Sequence, residues 1–552
     1  MRSVRRSKRI CELQPQVMGG VMNLRLLRAA IAALVICLPT TFAFAQKDPG
    51  VRGGLNNTGG GLQAQGIPIP PPPFISPHPT TNAPIRANEL ASFKEGIIRA
   101  GQLEATCDDC AMVTDGSPAP VNPISGLKEL DPTFPQFTTN SNGLGARHNS
   151  DQCFSCHAHP GLGGSGGFLV PNPIDVAAGK PPRKPENPQF DLIPHRFGKK
   201  NVVPSFQTQY GPIREVRFKF QIDGAGNILR DSAGNPIPDG GVHQLWVVSG
   251  IKTDPTIRQC ALIQPDFEQQ VRNNNVAFRI PLQMLGLGLI DSIQDREILA
   301  RQAATAPQRA ALGIGGRPNR SGNDGTITRF GWKAQNKSIT MFAGEAYNVE
   351  MGITNELFPQ AKEEDPNCNG PQKPEPADVT RTDKDDELNQ AFNNPLHIMA
   401  DWMQFSLLMR FTDAPRPDPL PSVSAVQGRT IFANVGCALC HTPQMQTAPS
   451  LNSPVLQDRP VNLFSDLLLH DMGDGLADGI SQGAAGPREF RTTPLWGVGQ
   501  RIFFLHDGRT DDLLQAIQAH GSPGSEANAV VNKFNALTAL QKQAILDFLR
   551  SL

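Results

Sequence analysis

Cys153-Phe154-Ser155-Cys156-His157 and Cys437-Ala438-Leu439-Cys440-His441 are two copies of one pattern, Cys-x-x-Cys-His. The spacing suits covalent attachment of a c-type haem. Two thiols three positions apart reach the two vinyl groups of one porphyrin, and the adjacent imidazole folds under the ring as proximal iron ligand. With 10 Cys among 552 residues and 11 His, one chance match is expected roughly 0.004 times per chain, so two copies are not accidental. The competing reading, a zinc site or a redox dithiol with a histidine nearby, uses the same residue types.

The N-terminus agrees with an exported haem protein. Arg25 and Arg28 precede a short apolar run, Ala29 to Leu38, and Ala43-Phe44-Ala45-Gln46 follows. That order is a basic region, an apolar stretch too short to span a bilayer, and a small-residue cleavage site after Ala45. The expectation is a signal peptide over residues 1–45, a periplasmic location and no membrane span after cleavage. Removing that segment takes away seven basic residues and one acidic one, leaving a net charge of about −6, which argues against nucleic acid. With 52 Gly, 50 Pro and only 39% hydrophobic residues, much of the chain is expected as loop around modest cores.

Residues 46–87, rich in Gly, Asn and Pro, read as a disordered lead-in. Helical spacing of Leu90, Phe93, Ile97 and Ile98 opens an N-terminal haem domain over 88–387. Within it, alternation at Val216 to Phe220, turns at Ala225-Gly226-Asn227 and Ala233-Gly234-Asn235, and strand character from Gln244 to Val248 mark a β-containing insertion at about 205–310. Helical character returns over 281–311, and Glu363 to Asp386 is a charged, Pro-rich loop. A C-terminal cytochrome c-like domain covers 388–552, with Val426, Ile431, Phe432 and Val435 on a helix leading into Cys437. Its last helix carries a capping box at Thr538 and Gln541, and an apolar stripe of Leu540, Ala544, Phe548, Leu549 and Leu552. The fold class expected is mainly α: two cytochrome c-like domains with a β-containing insertion and long irregular loops.

A haem at His441 needs a sixth ligand or an open position. Phe503 to Thr510 is a turn feeding a helix, with Thr510 as N-cap and Asp511 and Asp512 in the first turn. Leu513, Ile517 and His520 then fall on one face of that helix. On spacing alone His520 is equally a core histidine or a ligand. The runs Leu463 to Gly473, Phe490-Arg491-Thr492-Thr493-Pro494-Leu495-Trp496-Gly497 and Leu505-His506-Asp507-Gly508-Arg509 resemble the di-haem oxidoreductases described as peroxidases and often labelled thiol oxidoreductases. That group resembles a branch of the bacterial di-haem cytochrome c peroxidase and MauG superfamily. The likeness extends from about residue 90 to 552. In the superfamily the distal ligand of the C-terminal haem lies fourteen residues after the histidine of this turn, as Met or Tyr, and here that position is His520. The resemblance therefore implies a His441/His520 iron, with Met472 as the competing ligand and core packing as its plainer role. It places His506 between or beside the haems.

Around the first motif, Gly161 to Gly167 reads as a loop hugging the porphyrin, and His159 as an exposed or propionate-bonding side chain. The superfamily's tryptophan between the haems and its acid over the open face of the N-terminal haem correspond by order to Trp332 and Glu350. Lys333 stands where an Asp is usual, and the interval to the acid is slightly shorter. A carboxyl in an apolar haem pocket has a raised pKa and can move a proton between peroxide oxygens. A surface glutamate and a core tryptophan are the plainer alternatives. Only Tyr210 and Tyr347 occur in the chain, the latter near Glu350.

Cys107, Cys110, Cys260 and Cys368 read as structural in an oxidising compartment, with the pairing open: a local Cys107–Cys110 disulfide with Cys260–Cys368 is one arrangement, and a redox-active Cys107/Cys110 dithiol is the alternative, which the two aspartates between them disfavour. The function expected is a periplasmic peroxidase-like oxidoreductase with two covalently bound haems c. The N-terminal haem, on His157, would reduce hydrogen peroxide or another small oxidant. The C-terminal haem would take electrons from a small periplasmic donor such as a cytochrome c or a cupredoxin. A calcium ion between the domains is left open. The alternatives are a non-catalytic di-haem electron-transfer protein, with His148, His159 or His195 closing the first haem, and a MauG-like oxidase of a protein partner.

Overall fold

The computed structural model describes residues 46–50, 74–101, 104–105, 141–142, 144–150, 152–167, 187–190, 201–247, 262–360, 399–450 and 453–552. The proposed signal segment, Cys107, Cys110, Cys260 and Cys368, His195 and the charged loop at 363–386 lie outside these residues. Among the described residues there are twelve α-helices, and the strands form only two-stranded sheets. The architecture is thus mixed, with helices carrying the cores. Residues 46–552 cluster as one unit. No helix among the described residues is long and apolar enough to cross a membrane.

In chain order, α1 is Ala87–Gly101, α2 Cys153–Cys156, α3 Phe267–Arg272, α4 Leu287–Asp291, α5 Asp295–Ala304, α6 Ala306–Ala311 and α7 Ile339–Met351. Then α8 is Asp401–Phe411, α9 Val423–Val435, α10 Leu513–Ala519, α11 Asn528–Asn535 and α12 Ala539–Ser551. The larger core packs α1 against α8 and α8 against α7, with Phe93, Ile97, Phe405, Leu408, Tyr347 and Met351 buried between them. Phe154 of the first motif belongs to this core. Glycine makes the α1/α8 contact close: a Cβ at Gly96 would collide with the Gln404 carbonyl and the Leu408 side chain.

The second core belongs to α9, α11 and α12. Ser422 caps α9 by accepting from the Ala425 amide at 3.1 Å, and Gly436, at φ +107°, ends it in a conformation that favours glycine. The termination places Cys437 immediately after the helix. Thr538 and Gln541 form the expected capping box on α12. Phe432, Val435, Phe534, Leu546, Phe548 and Leu549 fill the interface. Two expected stripe positions differ: Leu540 is 74% and Val426 57% exposed, because each lies on its helix's outer side, away from the α9/α12 contact.

The lead-in is anchored at its described ends. Asp48 is buried in a two-pronged pair with Arg550 at 2.6 Å, and Ile75 donates its amide to the Phe411 carbonyl at 2.6 Å. A composition poor in core residues did not announce either, because one buried ion pair and one buried isoleucine do the holding. The β-containing segment pairs Glu215–Phe218 antiparallel with Val276–Arg279, and Trp246–Val247 pairs with Arg147–His148. Turns at Gly226 and Gly234 have φ near +80° and +85°, as the Ala-Gly-Asn repeats require. Val216, Phe218, Leu245, Trp246 and Phe267 form its small core.

The α9/α12 crossing gives a direct test. A Cβ on Gly428 would collide with the Ala544 carbonyl. Gly428→Ala is expected to destabilise the protein by about 1–3 kcal/mol through overpacking, read as a lower denaturation midpoint with unchanged helix content.

Candidate functional site

Gly436 and the α9 terminus direct the second motif into a cavity of about 240 Å³. Cys437, Cys440, His441, His470, Met472 and His520 line it, with Phe432, Leu495, Phe504, Val530 and Phe534 supplying apolar wall. His441 donates Nδ1–H to the Phe464 carbonyl at 3.1 Å. Phe464 adopts φ +52°, a conformation that costs a bulky residue on the order of 1–3 kcal/mol, at the residue whose carbonyl meets this imidazole. Burial, and then the nearby charge of His520, depress His441 to about 4, so the ring is neutral. A neutral ring that donates from Nδ1 has its lone pair on Nε2, the form a metal ligand needs.

His520 ends α10 and donates Nδ1–H to the Ala516 carbonyl at 2.7 Å, again leaving the lone pair on Nε2 of a ring kept neutral by burial. It lines the same cavity as His441. The cap of α10 differs from expectation: Asp512, not Thr510, accepts from the Gln515 amide at 2.9 Å. Asp512 has the extended backbone of an N-cap, whereas Thr510 donates to Gln515 Oε1 at 2.9 Å.

The first motif repeats the arrangement. His157 donates Nδ1–H to the Gly164 carbonyl at 3.1 Å, and burial again lowers its pKa. Gly164 needs its missing side chain, since a Cβ there would collide with the His159 carbonyl. The cavity here, about 170 Å³, is lined by Cys153, Cys156, His157, Tyr347, Glu350 and three methionines, Met284, Met351 and Met409. His157 is the only imidazole lining it among the described residues. His148 is buried elsewhere, with Nδ1 on the Gly145 carbonyl at 3.0 Å. His159, expected at the surface, is buried and donates Nε2–H to the Gln500 carbonyl at 2.9 Å. The glycine loop holds its backbone, His159 N–H donating to the Gly166 carbonyl at 3.1 Å and its carbonyl accepting from the Ser165 amide at 2.6 Å.

Trp332 lines both cavities, and no other residue among those described does. Its indole N–H donates to the Ile280 carbonyl at 2.9 Å. His506 meets it edge to face with centroids 6.3 Å apart and stacks on Phe490 at 4.3 Å. Lys333, beside it, is fully buried, bonded to the Gly486 and Glu489 carbonyls and paired with Asp478 at 3.0 Å. Burial lowers its pKa to about 8, yet Asp478 favours the ammonium form. Asp478 also holds Arg279 at 2.7 Å, so a Lys at this position completes a buried ion cluster.

Glu350 ends α7 and accepts from Asn149 Nδ2 at 2.8 Å. Its carboxyl is held well above the usual range, first by burial and then by the carboxylate of Glu215, which lines the same cavity. Sequence reasoning did not single out Glu215: the strand alternation located it, but nothing near it in sequence signals a partner in α7. It also missed His470, which pairs with Asp466 at 3.0 Å and Glu526 at 2.7 Å on the wall of the larger cavity. Tyr347 donates to Asp401 Oδ2 at 3.2 Å, and Tyr210 is exposed.

The alternatives for the two motifs weaken on this geometry. Burial, with the Cys440 charge adding to it, pushes the Cys437 thiol up to about 12, the reverse of what a reactive dithiol needs. No group of three or more His, Cys, Asp or Glu among the described residues is arranged to hold a bare metal ion such as zinc. Paired thiols at the edge of an apolar cavity, with an oriented imidazole between them, fit a haem.

No curated protein sequence matches the chain. Among solved structures, hydrazine synthase from Kuenenia stuttgartiensis is 17% identical over 29% of this chain with a TM-score of 0.18, and the match spans just over half, 56%, of that chain. The diheme peroxidase BthA from Burkholderia thailandensis is 14% identical over 57% of this chain and 90% of that one, with a TM-score of 0.26. Residues 261–552 match the family described as "Di-haem oxidoreductase, putative peroxidase". That span covers more than half of the chain and includes the second motif, Trp332, Glu350 and His520; the chain belongs to this di-haem oxidoreductase family.

Proposed function

We propose that the protein is an exported, periplasmic c-type di-haem peroxidase in which the two haems have different work. In this reading residues 88–387 and 388–552 are the two haem domains. Cys153 and Cys156 bind one haem covalently with His157 as proximal ligand, and Cys437 and Cys440 bind the other with His441 and His520 as its two axial ligands. Bound haem supplies redox-active iron, and the chain supplies everything that makes the two irons unequal. A small donor protein, a cytochrome c or a cupredoxin, delivers electrons at the 437 cavity. Trp332 bridges the two cavities, and Glu350 moves a proton between the oxygens of peroxide held beside His157.

The observation that carries the reading is the inequality of the cavities. The one at the second motif has two neutral imidazoles with Nε2 lone pairs. The one at the first has, among the described residues, a single imidazole and three acids, Glu215, Glu345 and Glu350. Bis-histidine ligation suits an electron-receiving centre of low potential, and an unfilled iron position suits peroxide. A non-catalytic electron carrier is the second reading, favoured by Met284, Met351 and Met409 around His157, any of which is a thioether ligand if it swings over the ring.

Electron paramagnetic resonance of the ferric protein separates the two. One high-spin and one low-spin signal are expected, and His520→Ala should convert the low-spin signal to high-spin while the haem content holds. Two low-spin signals in every redox state would establish the electron carrier instead. Peroxide turnover with a reduced cytochrome donor should fall by about 10²–10⁴ in Glu350→Gln, the usual weight of a positioned general acid–base group. An unchanged rate removes Glu350 from the chemistry.

A further inference from the structure

Glu350 does not face the smaller cavity alone. Glu215, 135 positions earlier, lines it from the strand Glu215–Phe218, while Glu350 comes from the last turn of α7. The two carboxyl groups are in hydrogen-bond reach of one another. Each is half-buried and lines the cavity. On the far side of Glu215, Arg217 donates Nε–H to its Oε1 and fixes its other arm on the Gly240 carbonyl at 2.9 Å. Arg279, held by Asp478, adds a second positive charge to Glu215, and Asp239, Glu345 and Glu350 are further acids whose fields reach Arg217. On the far side of Glu350 the hydrogen-bond donor is a neutral one, Asn149, and the charge of Arg217, bonded to Glu215, reaches Glu350 more weakly than burial and Glu215 do.

We infer that Glu215 is a positioning residue for Glu350: the two form a carboxyl–carboxylate pair sharing one proton, with Glu215 the ionised member and Glu350 the neutral one. Like charges in a shared, poorly solvated site cannot both ionise. The asymmetry of partners decides which keeps the proton, because arginine favours charge on Glu215 while amide favours neither form strongly. The shifts agree: burial and Glu215 raise Glu350, whereas on Glu215 burial is outweighed by Arg217 and Arg279.

This inference rests on reading the cavity as the peroxide-reducing centre, and it changes what Glu350 does there. A carboxylate can only accept a proton at first. A neutral carboxyl is donor and acceptor together. Its O–H proton passes to the peroxide oxygen that leaves, while its carbonyl oxygen takes the proton of the oxygen that stays. The O–O bond breaks, the leaving oxygen departs as water, and Glu350 ends as it began. The retained oxygen becomes a second water with two electrons from the one-electron donor protein and two protons from solvent. Glu215, touching no reacting atom, keeps Glu350 in the bifunctional form through the cycle.

The test uses the haem-loaded protein and two readouts. Infrared difference spectra over a pH titration should show a protonated-carboxyl band at neutral pH that is lost in Glu350→Gln. In Glu215→Gln that band should be lost at a lower pH than in the unaltered protein, and the alkaline limb of the peroxide rate profile should move down with it by on the order of one pH unit or more. Glu215→Asp, which keeps the charge, should restore both. A band and profile unmoved by Glu215→Gln overturn the pair. If that variant does not fold, the wild-type titration decides: a Glu350 band titrating in the ordinary carboxyl range overturns the pair, and one persisting to neutral pH supports it. A pair that behaves as described in a protein that does not turn over peroxide refutes the proposed function and leaves the pair standing.

Discussion

The constraint on which the rest of the site depends is the burial of imidazoles whose rings the backbone orients through Nδ1. His157, His441 and His520 each give Nδ1–H to a backbone carbonyl, of Gly164, Phe464 and Ala516. A carbonyl can only accept, so in each neutral ring the lone pair sits on Nε2. Those three carbonyls come from three different devices. One is a glycine loop too tight for any side chain, one a phenylalanine forced to φ +52°, and one the last turn of a helix. Three unrelated local structures thus meet one requirement, the same ring geometry. The glycine punctuation, the strained turn at 464 and the cap of α10 follow from that requirement.

Charge is buried around these rings on an unusual scale for a chain with 18% charged residues. Arg279, Asp478 and Lys333 form one enclosed cluster, and Arg309, Asp466, His470 and Glu526 another. Breaking such a cluster by removing one member costs about 3–5 kcal/mol, whereas its net contribution to stability is small. Their effect is therefore better described as fixing register. The first joins the β-containing segment, through Arg279, to the loops at 478–490 and to Lys333 beside Trp332. The second joins α6 to the segment following the second motif, with Arg309 also bonded to the Leu439 carbonyl at 2.9 Å inside that motif.

What the sequence disclosed and what it withheld divide along the range of the interactions. The haem motifs, the capping box at Thr538, the turns at Gly226 and Gly234, and the placing of His520 on the inner face of its helix all depend on residues within a few positions of one another. Those were legible. Asp512 rather than Thr510 caps α10 because two adjacent candidates compete and the final backbone angles decide. Leu540 is exposed because the direction from which α9 approaches selects the buried side of α12. Glu215 meets Glu350, and Asp48 meets Arg550, only because chain segments far apart in sequence fold together. No local pattern encodes such meetings. His159 was misread for the same reason, since its partner is the backbone of Gln500.

Trp332 is common to both cavities, and every other described residue on their walls belongs to one or the other. The two centres therefore behave as separate rooms with one shared door. A substitution deep in either room alters that room's ligand field or acid–base balance without reshaping its neighbour. Evolution can retune one cavity while the other keeps its lining, provided the door is left in place. Its indole is pinned by a single hydrogen bond to Ile280, on the stretch that runs out of the strand containing Arg279. Changes in the β-containing segment reach the exchange between rooms through that hinge, which makes an apparently peripheral insertion a place from which their communication can be adjusted.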